Sequence, residues 1–169
     1  MNNSVYSAIF VSQNDQDYYP GVNCGVAALL TLLKSINYEP LPKFKELADA
    51  LRRMSLPTQK GYYNIDIPMA IFPEDIMRYC VKSNFHFRMH FFDDEWKECL
   101  KIAPIMVLVT GDLEDFGPDG HWIVLVERNK DFFTYLDPWL KSNESYIKHI
   151  SSIEFKKFYS GIALQLFPT

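Results

Sequence analysis

The sequence predicts one α+β domain in which helices come first and an antiparallel sheet follows. The chain has 169 residues, which is the length of a single domain, and no repeat, low-complexity tract or linker divides it. Helical patterns lie mainly in the first half, whereas apolar runs of strand length lie in the second half. Helices and strands that are segregated along the chain are typical of the α+β class. We therefore expect residues 1–169 to form one domain.

The first third of the chain predicts two helices behind a short strand and a loop. Residues 6–12 alternate well enough for a strand, and residues 13–23 are rich in turn formers. Small and apolar residues cover more than one face from Cys24 to about residue 36, which indicates a central buried helix. A second helix is expected over residues 43–54, where apolar residues recur at steps of three and four.

The middle of the chain predicts a loop, a helix, a strand and a short helix. Two prolines and a glycine mark residues 55–70 as a surface loop. Pro73 suits the first position of a helix that runs to about residue 82. Residues 85–92 alternate as a strand does, and residues 93–101 form a short helix with acidic residues at its start.

The last third predicts most of the sheet. Residues 104–110 form a buried strand, and residues 121–127 and 132–138 flank a short turn as a hairpin. A short helix over residues 151–160 and a closing strand over residues 161–168 complete the order.

Composition and charge exclude several classes of function. The net charge of −4, with no cluster of Lys and Arg, argues against nucleic-acid binding. Three cysteines, Cys24, Cys80 and Cys99, are too scattered for a disulfide framework or a zinc motif. We expect no metal and no cofactor, and the sequence leaves the oligomeric state open.

No segment of the sequence predicts membrane insertion or a cleaved signal peptide. The N-terminal residues lack a basic region followed by a long apolar stretch. The longest uncharged apolar run, residues 102–110, has strand length and is too short for a membrane span. These features predict a protein that is cytoplasmic, or exported without a cleaved signal.

Cys24 is the first candidate for chemistry because it lies where the turn-rich loop becomes the central helix. A helix N-terminus stabilises a thiolate, which is the nucleophilic form of cysteine, through unpaired N–H groups and the helix dipole. The N–H of Cys24 could also donate to an oxyanion. Buried free cysteines are common and mostly inert, so the helix start taken alone favours packing over a nucleophile at this position.

His121 and Asp137 are the candidates for a base and an orienting acid. His121 lies between a Gly/Pro/Asp loop and an apolar strand, where a general base is held yet reachable. The predicted hairpin brings Asp137 to the same end, where a carboxylate could fix the imidazole tautomer. Asp137 could equally start a turn with Pro138, and Asp119 and Asn23 are rival orienting groups.

A neutral amide upstream of the cysteine could complete an oxyanion hole. Gln13 and Gln16 lie in the same loop, and position alone does not choose between them.

Four short motifs in order resemble those of the double-glycine (bacteriocin-processing) cysteine peptidases, peptidase family thirty-nine, and best its stand-alone domains. They are FVSQ, then CG-x-AAL ten residues later, GHW with four apolar residues after it, and LDP, and the resemblance covers about residues 8–139. It implies a papain-like fold. By motif position it implies that Cys24 is the nucleophile, His121 the base and Asp137 the orienting acid, with Gln13 assisting the oxyanion.

The sequence therefore predicts a thiol enzyme that acts on an amide bond in a peptide or protein, with peptide hydrolysis as the first hypothesis. A glutamine deamidase, an amidase or an acyltransferase, for example in an effector, would use the same chemistry. A peptide-binding module that keeps the fold without turnover is the alternative from another class. A metal site of Cys24, His121 and Asp137 ranks third, because a fourth ligand is missing.

Overall fold

One antiparallel sheet of six strands organises the described part of the chain, residues 3–52, 71–111 and 120–168, in a computed structural model. Every neighbouring pair of strands is antiparallel, and the order across the sheet is β1-β6-β2-β3-β4-β5. The strands are β1 (Phe87–Phe91), β2 (Ile105–Val109), β3 (His121–Arg128), β4 (Phe132–Leu136), β5 (Ile147–Ser151) and β6 (Tyr159–Leu166).

Helices cover both faces of this sheet. Within the described residues, no helix combines the length and apolar character that crossing a membrane requires. The helices are α1 (Asn3–Ile9), α2 (Cys24–Ser35), α3 (Phe44–Arg52), α4 (Pro73–Lys82), α5 (Trp96–Cys99) and α6 (Ser152–Phe158), and a 3-10 turn at Pro20–Val22 precedes α2.

The helix α2 is buried because it lies between the sheet and the other N-terminal helices. It packs on β3 on one side and on α1 and α3 on the other, so all ten residues from Cys24 to Leu33 are buried. Side chains alternate across a strand, and β3 therefore contributes Trp122 and Val124 to this core. The opposite face of the sheet carries an aromatic cluster of Trp96, Phe133, Phe155 and Tyr159 under α5 and α6.

Most of the predicted elements are present, with ends shifted by a few residues. The central buried helix, the hairpin of β3 and β4 and the sheet built mainly from the C-terminal half are as predicted, and the fold class is confirmed. The predicted helix over 43–54 is found as Phe44–Arg52, and its last two residues lie outside the described residues. The predicted loop over 55–70 also lies outside them.

The strand predicted over residues 6–12 is wrong, because this segment begins in the helix α1. Tyr6 and Phe10 are both buried, one helical turn apart, and the Phe10 N–H donates to the Tyr6 carbonyl over 2.9 Å. Phe10 also stacks on Tyr146 with ring centroids 3.9 Å apart. The alternating segment is too short to distinguish the period of a strand from that of a helix. The packing of Phe10 stabilises the helix.

The edge strand β5 was missed by the sequence analysis. It pairs with β4 from Ile147 to Ser151, although only Ile150 is fully buried. Because the remaining positions are half-buried or exposed and include Lys148 and His149, the segment carries no alternating apolar signal.

Candidate active site

Cys24 is the first residue of α2 and lies at the inner end of the loop that begins at Gln13. The first helical hydrogen bond runs from the Ala27 N–H to the Asn23 carbonyl over 3.0 Å. The N–H groups before Ala27 in the first turn therefore have no carbonyl partner within the helix. Only 8% of the Cys24 side chain is exposed, and the residue forms no disulfide. The thiol is therefore held at the positive end of the helix dipole.

The surroundings of Cys24 lower the pKa of its thiol although it is buried. Burial by itself raises that pKa, because it disfavours the charged thiolate. A hydrogen bond with the His121 ring, the positive charge of that ring, and the N–H groups of Trp122 and Gly25 outweigh the burial. The site thus favours the nucleophilic form of the sulfur.

His121 and Asp137 form a buried hydrogen-bonded pair at the end of the β3–β4 hairpin. Val124 pairs with Leu136 across the two strands, so the residue after Leu136 comes next to the start of β3. His121 Nε2 and Asp137 Oδ1 are 2.8 Å apart, and both side chains are at least 95% buried. Because a carboxylate can only accept, Nε2 donates to it, and Nδ1 is the nitrogen that remains for the sulfur of Cys24.

This pair raises the pKa of His121. Burial lowers the pKa of an imidazole, but the hydrogen bond to Asp137 and the hydrogen bond and charge of Cys24 raise it to about 9. A thiol with a lowered pKa beside an imidazole with a raised pKa favours a thiolate–imidazolium pair at neutral pH.

Asp137 is itself fixed by the turn that follows β4. Its Oδ1 also accepts from the Trp139 N–H over 3.0 Å, and its own N–H donates to the Tyr146 carbonyl over 3.0 Å. These contacts hold the carboxylate against the imidazole. Asp137 therefore both starts the turn with Pro138 and contacts the ring of His121.

Gln13 is brought to the same end of the hairpin. Its N–H donates to the carbonyl of Pro138 over 2.8 Å, and its side chain is buried. Gln16 uses its side-chain amide within its own loop, where Nε2 donates to the Ser12 carbonyl over 3.2 Å. The backbone contact thus brings Gln13 next to the turn that follows Asp137.

Asn23, one of the two rival orienting groups, is held by other partners. Asn23 is fully buried, and its amide donates to the carbonyls of Tyr18 and Tyr19 while its oxygen accepts from Arg52. Asp119 lies outside the described residues.

The other histidines lie away from Cys24. His86 is exposed beside the ring of Phe167, His90 is buried with Asp93 at 3.1 Å, and His149 is exposed near Thr134. In the part of the chain that the structure describes, no group of three or more His, Cys, Asp or Glu side chains is arranged so that it could hold a metal ion.

Two exposed aromatic residues flank the site in the chain. Tyr19, in the loop before Cys24, is 48% exposed, and Trp139, two residues after Asp137, is 44% exposed. Tyr18, by contrast, is half-buried against α3. Tyr19 and Trp139 thus offer apolar surface on the two loops that hold the site.

Solved structures that share this architecture include peptidase domains of the C39 double-glycine class, and the chain has the papain-like α+β fold predicted from its sequence. A protein from Bacillus anthracis assigned as a C39-like peptidase superposes with a TM-score of 0.63 at 11% identity, over 96% of each chain. The peptidase domain of ComA from Streptococcus, a bifunctional ABC transporter, superposes with a TM-score of 0.58 at 18% identity, over 87% of this chain and 92% of that one.

A third neighbour was solved with a peptide bound. It is a double-glycine-motif protease from an AMS/PCAT transporter in complex with its leader peptide, with a TM-score of 0.55 at 16% identity over 86% of this chain and 84% of that one. No protein-family profile and no curated protein matches the sequence.

Proposed function

We propose that this protein is a cysteine peptidase that hydrolyses peptide bonds with Cys24, His121 and Asp137, assisted by Gln13. The observation that carries the proposal is the buried chain of hydrogen bonds from the Cys24 thiol through His121 to Asp137. These hydrogen bonds lower the pKa of the thiol and raise the pKa of the imidazole, as a nucleophile and its acid–base partner require.

In the first half of the reaction, the thiolate of Cys24 attacks the carbonyl carbon of the scissile bond. The carbonyl oxygen becomes an oxyanion, which the Cys24 N–H and the Gln13 side-chain amide stabilise. His121 gives its proton to the leaving nitrogen, the C–N bond breaks, and a thioester to Cys24 remains.

In the second half, neutral His121 takes a proton from water. The resulting hydroxide attacks the thioester, the C–S bond breaks, and the thiolate leaves with the acid product free. Asp137 keeps the proton on Nε2, so that Nδ1 faces the sulfur and the water in turn. Each residue returns to its starting protonation state.

A peptide as substrate is supported by the fold. The neighbour from the AMS/PCAT transporter binds a leader peptide, and its architecture is shared over most of this chain. The exposed side chains of Tyr19 and Trp139 offer the apolar contacts that an extended peptide would use.

The test is a comparison of this protein with its Cys24→Ala variant on a cell-derived mixture of proteins, followed by mass spectrometry. A peptidase produces new N-termini only with the intact thiol. A mass gain of one deamidation at glutamine without cleavage would instead assign the same acyl-enzyme chemistry to a deamidase, and unchanged proteins would favour the peptide-binding module.

A further inference from the structure

Asn23 occupies the position before α2 but does not cap the helix. Asparagine there normally adopts an extended backbone and accepts from the N–H of the second or third helical residue, here Gly25 or Val26. Instead the backbone of Asn23 has φ −111° and ψ 21°, and its side chain makes no hydrogen bond to the first turn. A residue suited to capping is thus held in a conformation that leaves the helix end uncapped.

Arg52 and the preceding loop hold Asn23 in this conformation. Nη2 of Arg52 donates to Asn23 Oδ1 over 2.6 Å. The Asn23 amide donates to the carbonyls of Tyr18 and Tyr19 over 2.6 Å and 3.0 Å. Because Asn23 is fully buried, its oxygen has no water as an alternative partner. Arg52 therefore occupies the oxygen that would otherwise compete for the N–H groups of α2.

These N–H groups are the ones that the nucleophile uses. The Gly25 N–H is the second of the helix and donates to the sulfur of Cys24. It is also a preferred donor to a capping side chain at Asn23. A single N–H cannot serve a capping oxygen and a thiolate equally well, so the two uses exclude each other.

We propose that Arg52 is a positioning residue for the nucleophile: by binding Asn23 Oδ1, it keeps the first turn of α2 uncapped and its N–H groups available to the sulfur of Cys24. Arg52 lies at the end of α3, 29 positions from Asn23, and does not act as a catalytic residue. The inference rests on the proposed thiol chemistry. It gives α3 a role in supporting the nucleophile of α2.

The chain supplies a matched control for the charge of Arg52. Lys45 is also on α3, and both cations lie against the ring of Tyr18, at 4.9 Å for Lys45 and 5.7 Å for Arg52. Lys45 binds Asp49 over 3.0 Å. A variant at Lys45 therefore removes a nearby positive charge without releasing Asn23.

The test measures the rate at which iodoacetamide alkylates Cys24 between pH 5 and 9, by mass spectrometry of each cysteine. Arg52→Met should move the midpoint of the Cys24 profile up by about one pH unit, which lowers the rate below the midpoint about tenfold. Lys45→Met should leave the midpoint unchanged. Arg52→Lys should keep the midpoint close to that of the wild-type protein. If Arg52→Met does not fold, Arg52→Gln should shift the midpoint in the same direction.

A second comparison tests whether the effect passes through Asn23. In an Asn23→Gly background the competing oxygen is gone, so adding Arg52→Met should change the midpoint little. An unshifted profile in Arg52→Met, an equal shift in Lys45→Met, or a full shift in the Asn23→Gly background would each overturn the inference and leave the proposed function intact. Wild-type Cys24 that labels no faster than Cys99 would overturn both.

Discussion

The two buried thiols of this protein, Cys24 in α2 and Cys80 in α4, have pKa values shifted in opposite directions. Cys24 and Cys80 are both buried and free of disulfide bonds. Burial raises the pKa of Cys80 to about 12, because it disfavours the charged thiolate. At Cys24 the His121 ring and two backbone N–H groups outweigh the same penalty. Burial alone therefore makes a thiol inert, and activation depends on a charged partner and donors fixed around the sulfur.

The position within the helix adds to the effect of His121. Cys24 begins α2, where N–H groups lack intrahelical partners, whereas Cys80 lies inside α4, where the N–H groups are used by the helix. Cys80 is therefore an internal control for every experiment on Cys24.

The largest effect is expected from Cys24→Ala. Loss of the nucleophile should reduce peptide cleavage at least about a thousandfold, whereas Cys80→Ala should retain full cleavage. The appearance of new N-termini in a peptide mixture measures both. A comparable loss of peptide cleavage in both variants would show that the difference in pKa between the two thiols does not determine activity.

Asp137→Asn should lower kcat/KM about a hundredfold to ten-thousandfold while the protein stays folded. It should also change the pH dependence. In the intact protein, kcat/KM rises as Cys24 loses its proton at a lowered pKa and falls as His121 loses its proton near pH 9. Asp137 helps to raise the pKa of His121, so its replacement by a neutral amide should move the alkaline limb to lower pH.

The pH profile of kcat/KM for both proteins checks this sign. An alkaline limb that stays in place in Asp137→Asn would contradict the role of the carboxylate. Circular dichroism of the variant serves as the control for its fold.

Gly25→Ala should damage the site through packing. A Cβ at Gly25 would lie 3.0 Å from Cβ of Ile71 and 3.1 Å from Cδ1 of Trp122, the residue after His121. The crowding should cost about 1–3 kcal/mol of the free energy of unfolding and lower kcat/KM about tenfold. Gly21→Ala is the matched control, since among the described residues beyond its chain neighbours no atom lies within 4 Å of its added Cβ.

Chemical denaturation and steady-state kinetics of the two glycine variants give both quantities. Equal free energies of unfolding and equal kcat/KM in Gly25→Ala and Gly21→Ala would show that the close packing around Gly25 does not matter for the site.

The smallest effect is expected at Cys80. Cys80→Ala removes one buried sulfur atom from α4 and should lower the free energy of unfolding by about 1 kcal/mol, with kcat/KM unchanged. Urea denaturation measures the loss. A fall in kcat/KM without a matching loss of stability would give Cys80 a role that its surroundings do not explain.

Local sequence predicted the parts of this site that depend on short-range order. The turn-rich loop before an apolar helix placed Cys24, and the short turn between two apolar runs brought His121 and Asp137 to one end of a hairpin. The choice of Gln13 over Gln16 came only from the family resemblance. The structure adds a contact between distant segments, the hydrogen bond from the Gln13 N–H to the Pro138 carbonyl.

Contacts between distant segments were beyond the sequence. The packing of Phe10 on Tyr146 selects the helix α1 where a strand was predicted, and the pairing of β5 depends on β4 rather than on its own pattern. The contact of Arg52 with Asn23 is of the same kind, because no local periodicity relates the end of α3 to the residue before Cys24.

The most direct test of the account is the rate of iodoacetamide alkylation of each cysteine in the folded wild-type protein, followed from pH 5 to 9. We expect Cys24 to react at least about a hundredfold faster than Cys80 at pH 7, with a midpoint well below the ordinary thiol pKa of about 8.5. Equal, slow labelling of Cys24, Cys80 and Cys99, or a Cys24 midpoint at or above that ordinary value, would contradict it.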